Sequence, residues 1–250
     1  MSFINKTVLV TGSSSGIGAA TVIGFAKEGA DVVLVGRNQV KLNKVRNKCE
    51  SFGSKTLVVK SDVTNDDDIK RIIEETINKF GKLDVLVNNV GSFVLTDFKS
   101  ENFMSLYDAV MNLNLRSSVF ITHLATSHLI KTKGNVLFIS SIGAKRCVGN
   151  ADSISYSTSK DALTRFAKCA ALKLSENGVR VNVISPGPVR TDALENLPHV
   201  SWEQLADITA FKRVSEPTEI ADLILFLASE KARGITGADF IIDNGYLVKR

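Results

Sequence analysis

Cysteine and proline are scarce in this chain, at three and four of 250 residues. The cysteines, Cys49, Cys147 and Cys169, are odd in number and far apart, so they make neither a disulfide framework nor a zinc pattern. They read as buried structural thiols in a reducing compartment, because free cysteine behaves as a small hydrophobe. No apolar run approaches the ~20 residues needed to span a bilayer; the longest, Ile220 to Ala228, is broken by Asp222. A signal peptide is missing too, since Thr7-Val8-Leu9-Val10 is too short an apolar core and runs straight into Thr11-Gly12. These absences predict a cytoplasmic protein without a membrane partner. Charge of one sign is nowhere concentrated: 31 Lys plus Arg against 26 Asp plus Glu leave a dispersed +5, which argues against nucleic acid as a partner. No metal is expected, as His123 and His128 are five apart, a poor match for one helical face. No repeat or Pro/Gly-rich linker divides the chain, so residues 1–250 read as a single domain.

What is present is a regular alternation. Short β-branched runs at Thr7 to Val10, Val32 to Val35, Thr56 to Val59, Val85 to Val87, Val136 to Ile139, Val179 to Ile184 and Phe240 to Ile242 read as seven strands. They are too continuously apolar to have a wet face. Amphipathic stretches lie between them: Ile17 to Lys27, Gln39 to Ser51, Asp66 to Lys79, Phe103 to Leu129, Ser155 to Ser175 and Pro217 to Ala228. Strict βαβ alternation predicts an α/β fold, a Rossmann-like, doubly wound parallel sheet with helices on both faces. Three of the four prolines gather at Pro186, Pro188 and Pro198. They predict an irregular loop from about Pro186 to Ser215, and long loops in compact domains are often functional. Such sheets bind ligands beyond the carboxyl ends of their strands.

The first strand runs into Gly12-Ser13-Ser14-Ser15-Gly16-Ile17-Gly18 and then a helix. Glycines let a pyrophosphate approach the backbone, and the helix N-terminus offers free N–H groups, so the segment reads as a dinucleotide site. The second strand ends in Val35-Gly36-Arg37-Asn38, with no carboxylate to hold a ribose 2′-hydroxyl. A guanidinium there suits a 2′-phosphate, which favours NADP (NADPH) over NAD. Ser15 supplies no second cation in the glycine turn.

With these pieces the chain resembles the short-chain dehydrogenases/reductases, the single-domain branch of about 250 residues. The likeness covers nearly the whole chain, in order: Thr11 to Gly18, Asp62-Val63, Asn88-Asn89-Val90-Gly91, Asn114, Ser140-Ser141, Tyr156-Ser157-Thr158-Ser159-Lys160, and Pro186-Gly187-Pro188-Val189-Arg190-Thr191. The resemblance implies that Tyr156 is the acid/base, Lys160 its electrostatic partner, Ser141 the donor to the substrate carbonyl and Asn114 the anchor of a relay water. Ser141 is preferred to Ser140 for its place at the mouth of the loop. By the same resemblance Asp62 and Val63 face the adenine, Asn88 lies by the adenosine half, Thr191 holds the nicotinamide carboxamide, and Val90, Gly91, Pro186, Gly187 and Val189 join the cofactor site. Val90 stands where the family usually has Ala, and the loop from Ser141 to Tyr156 looks about two residues longer than in many members.

Tyr156 and Lys160 are four apart, so a helix puts them on one face. The ammonium and an oxidised nicotinamide would both lower the phenol pKa from its ordinary ~10. Hydride transfer to a carbonyl builds charge on oxygen, which Tyr156 protonates while Ser141 stabilises it. The pocket walls, Ser92 to Phe98, Ile142 to Ser155 and the stretch after Thr191, include Phe93, Leu95, Leu194, Leu197, Trp202 and Phe211. They suit a small apolar carbonyl or alcohol, such as a steroid-, isoprenoid- or lipid-like one, or they are packing only. Residues 192–213 read as a lid over the substrate. Lys145 and Arg146 interrupt the apolar rim and would attract an acidic carrier, which keeps a 3-oxoacyl-thioester reductase open as an alternative. A non-catalytic dinucleotide-binding sensor is a further one. The family implies a homo-oligomer, a tetramer, through the two long helices and the last strand.

Overall fold

The computed structural model describes residues 2–95, 97–148, 153–195 and 201–249. All seven predicted strands form: β1 (Thr7–Thr11), β2 (Asp31–Gly36), β3 (Thr56–Lys60), β4 (Val85–Asn88), β5 (Asn135–Ile139), β6 (Arg180–Pro186) and β7 (Asp239–Ile242). They pair in parallel in the order β3-β2-β1-β4-β5-β6-β7. The helices are α1 (Gly16–Lys27), α2 (Gln39–Glu50), α3 (Asp66–Phe80), α4 (Phe103–Met111), α5 (Ser117–Thr132), α6 (Ile154–Ser175), α7 (Asp192–Glu195), α8 (Trp202–Asp207) and α9 (Pro217–Ala228).

Strand side chains alternate between faces, and here both faces are greasy. Val8 and Val10 enter a core with Phe25 of α1 and Ile224 of α9, while Leu9 enters the opposite core with Ile72 of α3, Ile121 of α5 and Leu163 of α6. Each fully buried side chain of this size contributes roughly 1.5–3 kcal/mol. The expectation of full cover fails at the edge: on β7, Ile241 is 50% exposed. The strand order turns between β1 and β4, which opens a crevice at their carboxyl ends, the position where such sheets take ligands.

Other expectations also need correction. The helix expected from Phe103 to Leu129 is interrupted by a π turn at Asn112–Arg116, a feature common at functional sites. The segment after β6 is not irregular throughout, for it carries α7 and α8, and Val189 bridges Ser215. Cys49 is buried, but Cys147 and Cys169 are exposed; the first lies on a surface loop and the second on the outer side of α6. Among the described residues no helix is long and apolar enough to cross a membrane.

Candidate active site

The glycine turn between β1 and α1 is built to let another body close to its backbone. Gly12 and Gly16 have φ of +67° and +54°, and a Cβ on Gly18 would lie 2.2 Å from the Gly12 carbonyl oxygen. Only glycine satisfies those positions. Across the crevice, a Cβ on Gly16 would come 3.0 Å from Thr191 Cγ2, so the two predicted cofactor residues face each other. This side-chain-free cradle at the start of a twelve-residue helix fits a dinucleotide pyrophosphate. Ser14 and Ser15 open onto a shallow pocket of about 560 Å³, shared with Arg37, Asn38 and Lys41.

Several predicted residues serve the frame of this crevice with their side chains. Ser13 is completely buried; its N–H donates to the Val35 carbonyl at 3.0 Å and its Oγ accepts from the Val35 N–H at 2.8 Å. It extends the β1–β2 ladder by one residue. Ile17, Val63 and Val189 pack into the two cores. Asn88 turns away from the crevice, against expectation: its Nδ2 donates to Thr122 Oγ1 of α5 at 3.0 Å, and its buried Oδ1 has no partner. The neighbour, Asn89, faces the glycine turn. Its Nδ2 donates to the carbonyls of Thr11 and Gly12 at 2.9 and 3.3 Å, clamping β4 to the glycine turn. The doubled asparagine in the sequence was the signal, but nothing in it said which faces the turn. Val90 fits beside this clamp, with its Cγ2 3.1 Å from where a Gly12 Cβ would stand.

At the ends of β2 and β3, Arg37 Nη1 lies 3.8 Å from Asp62 Oδ2 and remains 78% exposed. Asn38 caps α2, its Oδ1 accepting from the Lys41 N–H at 3.0 Å. Asp62 Oδ1 accepts from both the N–H and the hydroxyl of Thr64, at 3.0 and 2.8 Å. The Thr64 N–H is the main influence holding this carboxyl below its ordinary pKa. Asp62 Oδ2 is the oxygen that faces Arg37.

Asn114, Ser141, Tyr156 and Lys160 come together at the carboxyl ends of β4 and β5. Lys160 lies one turn beyond Tyr156 on α6, its Nζ donating to the Ile139 carbonyl at 2.8 Å and standing 6.0 Å from the centre of the Tyr156 ring. Asn114, in the π turn, is fully buried. Its Oδ1 accepts from the Ser92 N–H at 2.8 Å, and its Nδ2 donates to the Ser92 carbonyl and to Ser159 Oγ, both at 3.0 Å. Gly91 is where these groups converge, since a Cβ there would be 2.9 Å from Lys160 Nζ and 3.5 Å from Asn114 Oδ1. Ser141 Oγ accepts from the Gly143 N–H at 3.0 Å and lies near enough to the Tyr156 phenol to act on its pKa. Ser140 does not reach it, being tied to the Lys160 carbonyl and Thr164. Gly143, which sequence reasoning missed, leaves room between Ser141 and Tyr156: a Cβ would sit 3.1 Å from the Tyr156 ring and 3.3 Å from Ser141 Oγ.

The electrostatics differ from expectation. Burial raises the phenol pKa of Tyr156, with the nearby Ser141 hydroxyl opposing it. Burial also lowers Lys160 to about 8. Both groups have lost water, and the Lys160 ammonium is aimed at a backbone carbonyl, so desolvation outweighs its pull on the phenol.

The remaining wall begins at Pro186, the last residue of β6. A Cβ on Gly187 would be 2.8 Å from the Asp243 Cα. Phe93 meets the Tyr156 ring edge-on at 4.9 Å, and Arg190 stacks over Trp202 at 4.7 Å. Leu197 and Pro198 lie outside the described residues. Lys145 is not free at the rim, because its Nζ pairs with Asp239 Oδ2 at 2.6 Å. Asp239 Oδ1 in turn accepts from Ser185 Oγ at 2.6 Å. Arg146 stands over the Tyr246 ring at 5.5 Å.

This arrangement has known counterparts. A family model described as enoyl-(acyl carrier protein) reductase matches residues 12–247. The 3-oxoacyl-(acyl-carrier-protein) reductase of Thermotoga maritima is 33% identical over 247 residues, covering 97% of this chain and 98% of that protein. L-fucose dehydrogenase of Bos taurus is 34% identical over 250 residues, covering 97% and 90%. A short-chain dehydrogenase/reductase of unknown function from Caenorhabditis elegans, solved with cofactor, superposes with a TM-score of 0.92 at 33% identity, covering 100% of this chain and 98% of that one. A glycine cradle at β1, a Tyr–Lys pair on one helix face and likeness along the full length have one common explanation: the chain belongs to the short-chain dehydrogenases/reductases, nicotinamide-dependent oxidoreductases of CH–OH and C=O groups.

Proposed function

We propose that residues 1–250 form one cytoplasmic oxidoreductase domain that uses NADP(H) on a small apolar carbonyl or alcohol. The observation that carries this reading is the convergence of Asn114, Ser141, Tyr156 and Lys160: Gly91 adjoins Lys160 Nζ and Asn114 Oδ1, Gly143 adjoins Ser141 Oγ and the Tyr156 ring, and Lys160 Nζ stands 6.0 Å from the centre of that ring. When bound, the nicotinamide supplies or accepts the hydride. Tyr156 then gives its proton to the substrate oxygen in reduction and takes it back in oxidation. Its raised pKa keeps it protonated and ready for reduction at neutral pH. Ser141 donates a hydrogen bond to the same oxygen as charge builds there. Asn114 has both Nδ2 hydrogens engaged, which leaves the second lone pair of Oδ1 as its place for a relay water. The glycine turn, Asn38, Asp62, Gly91 and Thr191 hold the cofactor.

NADP is supported by Arg37, whose exposed guanidinium stands with Ser14, Ser15 and Lys41 around one pocket. An apolar substrate is supported by Phe93 against the Tyr156 ring and by half-buried Trp202 and Leu205. Likeness to the Thermotoga enzyme favours a second reading, a 3-oxoacyl-thioester reductase. Engagement of Lys145 by Asp239 weakens it, since one cation for an acidic carrier is lost.

Two tests follow. Tyr156→Phe should cut turnover by about 10²–10⁴-fold with cofactor affinity nearly intact; full activity would overturn the assignment. A screen of ketones, alcohols and acetoacetyl thioesters, read by absorbance of the reduced nicotinamide with NADPH and NADH, separates the two substrate readings. In the same assay Arg37→Asp should reverse a preference for NADPH of roughly ten- to a hundredfold. Equal use of both cofactors by the unaltered protein would refute NADP selectivity.

A further inference from the structure

The pocket beside the glycine turn contains a second cation that the sequence did not single out. Lys41, in the first turn of α2, lines it together with Ser14, Ser15, Arg37 and Asn38. Its ammonium is already engaged. Lys41 Nζ lies 2.5 Å from Asp192 Oδ2, the first residue of α7, and so joins two segments 151 positions apart. The side chains of both are about half exposed, at 47% and 49%. Arg37 faces its own carboxylate, Asp62, at 3.8 Å. Each cation of the pocket thus stands opposite an internal anion.

A phosphomonoester carries a charge of about −1.5 to −2 at neutral pH. Seated between Arg37 and Lys41, it would meet Asp192 within a few ångströms, and two anions cannot share one ammonium without repulsion. We propose that Lys41 is the second phosphate-binding cation of this pocket and that Asp192 is its internal competitor, a specificity-determining residue that a 2′-phosphate must displace. The inference rests on the NADP reading above for its biological ligand. It goes beyond that reading by assigning Lys41 and Asp192, and by linking the phosphate to the start of the proposed lid. Displacement of Asp192 unfastens α7 from α2. A cofactor without the 2′-phosphate leaves the pair intact. Arg190, two residues before Asp192, stacks on Trp202, so the release is expected to change the fluorescence of the chain's one tryptophan.

The test uses fragments, so that it does not depend on turnover. Binding of 2′,5′-ADP and of ADP is measured by calorimetry for the unaltered protein, Asp192→Asn, Lys41→Met and the double variant, each first checked for folding by its thermal melt. Asp192→Asn should tighten 2′,5′-ADP about two- to fivefold and leave ADP unchanged, the scale set by an exposed ion pair. Lys41→Met should weaken 2′,5′-ADP by a similar factor and abolish the gain from Asp192→Asn. Trp202 emission should respond to 2′,5′-ADP but not to ADP. If the unaltered protein prefers 2′,5′-ADP while Asp192→Asn leaves it unchanged, or weakens both fragments alike, the competitor role is overturned and the NADP reading stands. If the unaltered protein shows no preference and Asp192→Asn creates one through Lys41, the competitor role stands and NADP selectivity fails. No preference in any variant overturns both.

Discussion

At Lys160 the ammonium is held where water barely reaches, with 4% of the residue exposed. Its pKa near 8 in the folded chain is below that of an unfolded lysine. Between these values the unfolded chain binds more protons than the folded one, so stability rises with pH through that window, and below it the full penalty applies. Lys160→Met should therefore be more stable than the unaltered protein at neutral pH, by on the order of 1 kcal/mol after loss of the bond to Ile139. The difference should shrink as pH climbs above about 8, while activity is lost throughout. Thermal melts across that range check it; a variant less stable at neutral pH would contradict the argument. Chemistry at this scale was legible where it depends on spacing within one helix, as for Tyr156 and Lys160. It was not legible where a side chain answers a distant backbone. Asn89 bonds to Gly12, Asn114 to Ser92, and Gly143 makes room beside Tyr156; none of these partners can be read from local sequence.

The elements were read well where they are long or greasy. The seven strands are apolar runs bounded by turns, and their existence followed from composition alone. The π turn escaped because Asn112–Arg116 changes the winding of a helix without changing its residue types. The mix of apolar and charged residues over 192–213 suits a short amphipathic helix, but four and six residues are too few for a helical period to mark the bounds of α7 and α8. Their packing refines the lid. α8 has no buried residue, whereas just beyond it Thr209 is buried, its hydroxyl within donating reach of either the Ala206 or the Arg213 carbonyl and accepting from the Arg213 N–H. Lys249 adds bonds to the carbonyls of Asp207 and Thr209. Hydrogen exchange should accordingly find residues 209–213 protected in the free protein. Residues 192–195 and 201–207 should gain protection only with cofactor and a substrate analogue. Equal protection of α8 with and without ligand would rule out closure.

Over the whole molecule, apolar side chains remain open to water on several faces. Leu172 on α6 is 78% exposed, Met104 on α4 is 59%, and Ile241 on β7 is 50%. A groove along α4, the π turn and α5 is lined by Ala109, Met111, Leu115 and Val119. These are the two long helices and last strand through which the family resemblance implied association. Patches of this kind mark interaction surfaces, and we expect a homotetramer. Light scattering at micromolar concentration should give a mass near four chains, and a monomer there would refute it.

The tie between Lys145 and Asp239 sets the segments proposed to line the substrate apart from one another in how freely they can change. Phe93, Leu95, Leu194 and Leu205 sit on segments outside the seven-stranded ladder. The loop after Ser141 is different, because Lys145 fastens it through Asp239 to β7 and, by way of Ser185, to β6. New substrate preferences can therefore be written into the first set of residues at little expense to folding. The same experiment made around Lys145 would loosen the sheet edge and Ser141 together, so this wall is the conservative one in any evolutionary drift of the enzyme toward new substrates.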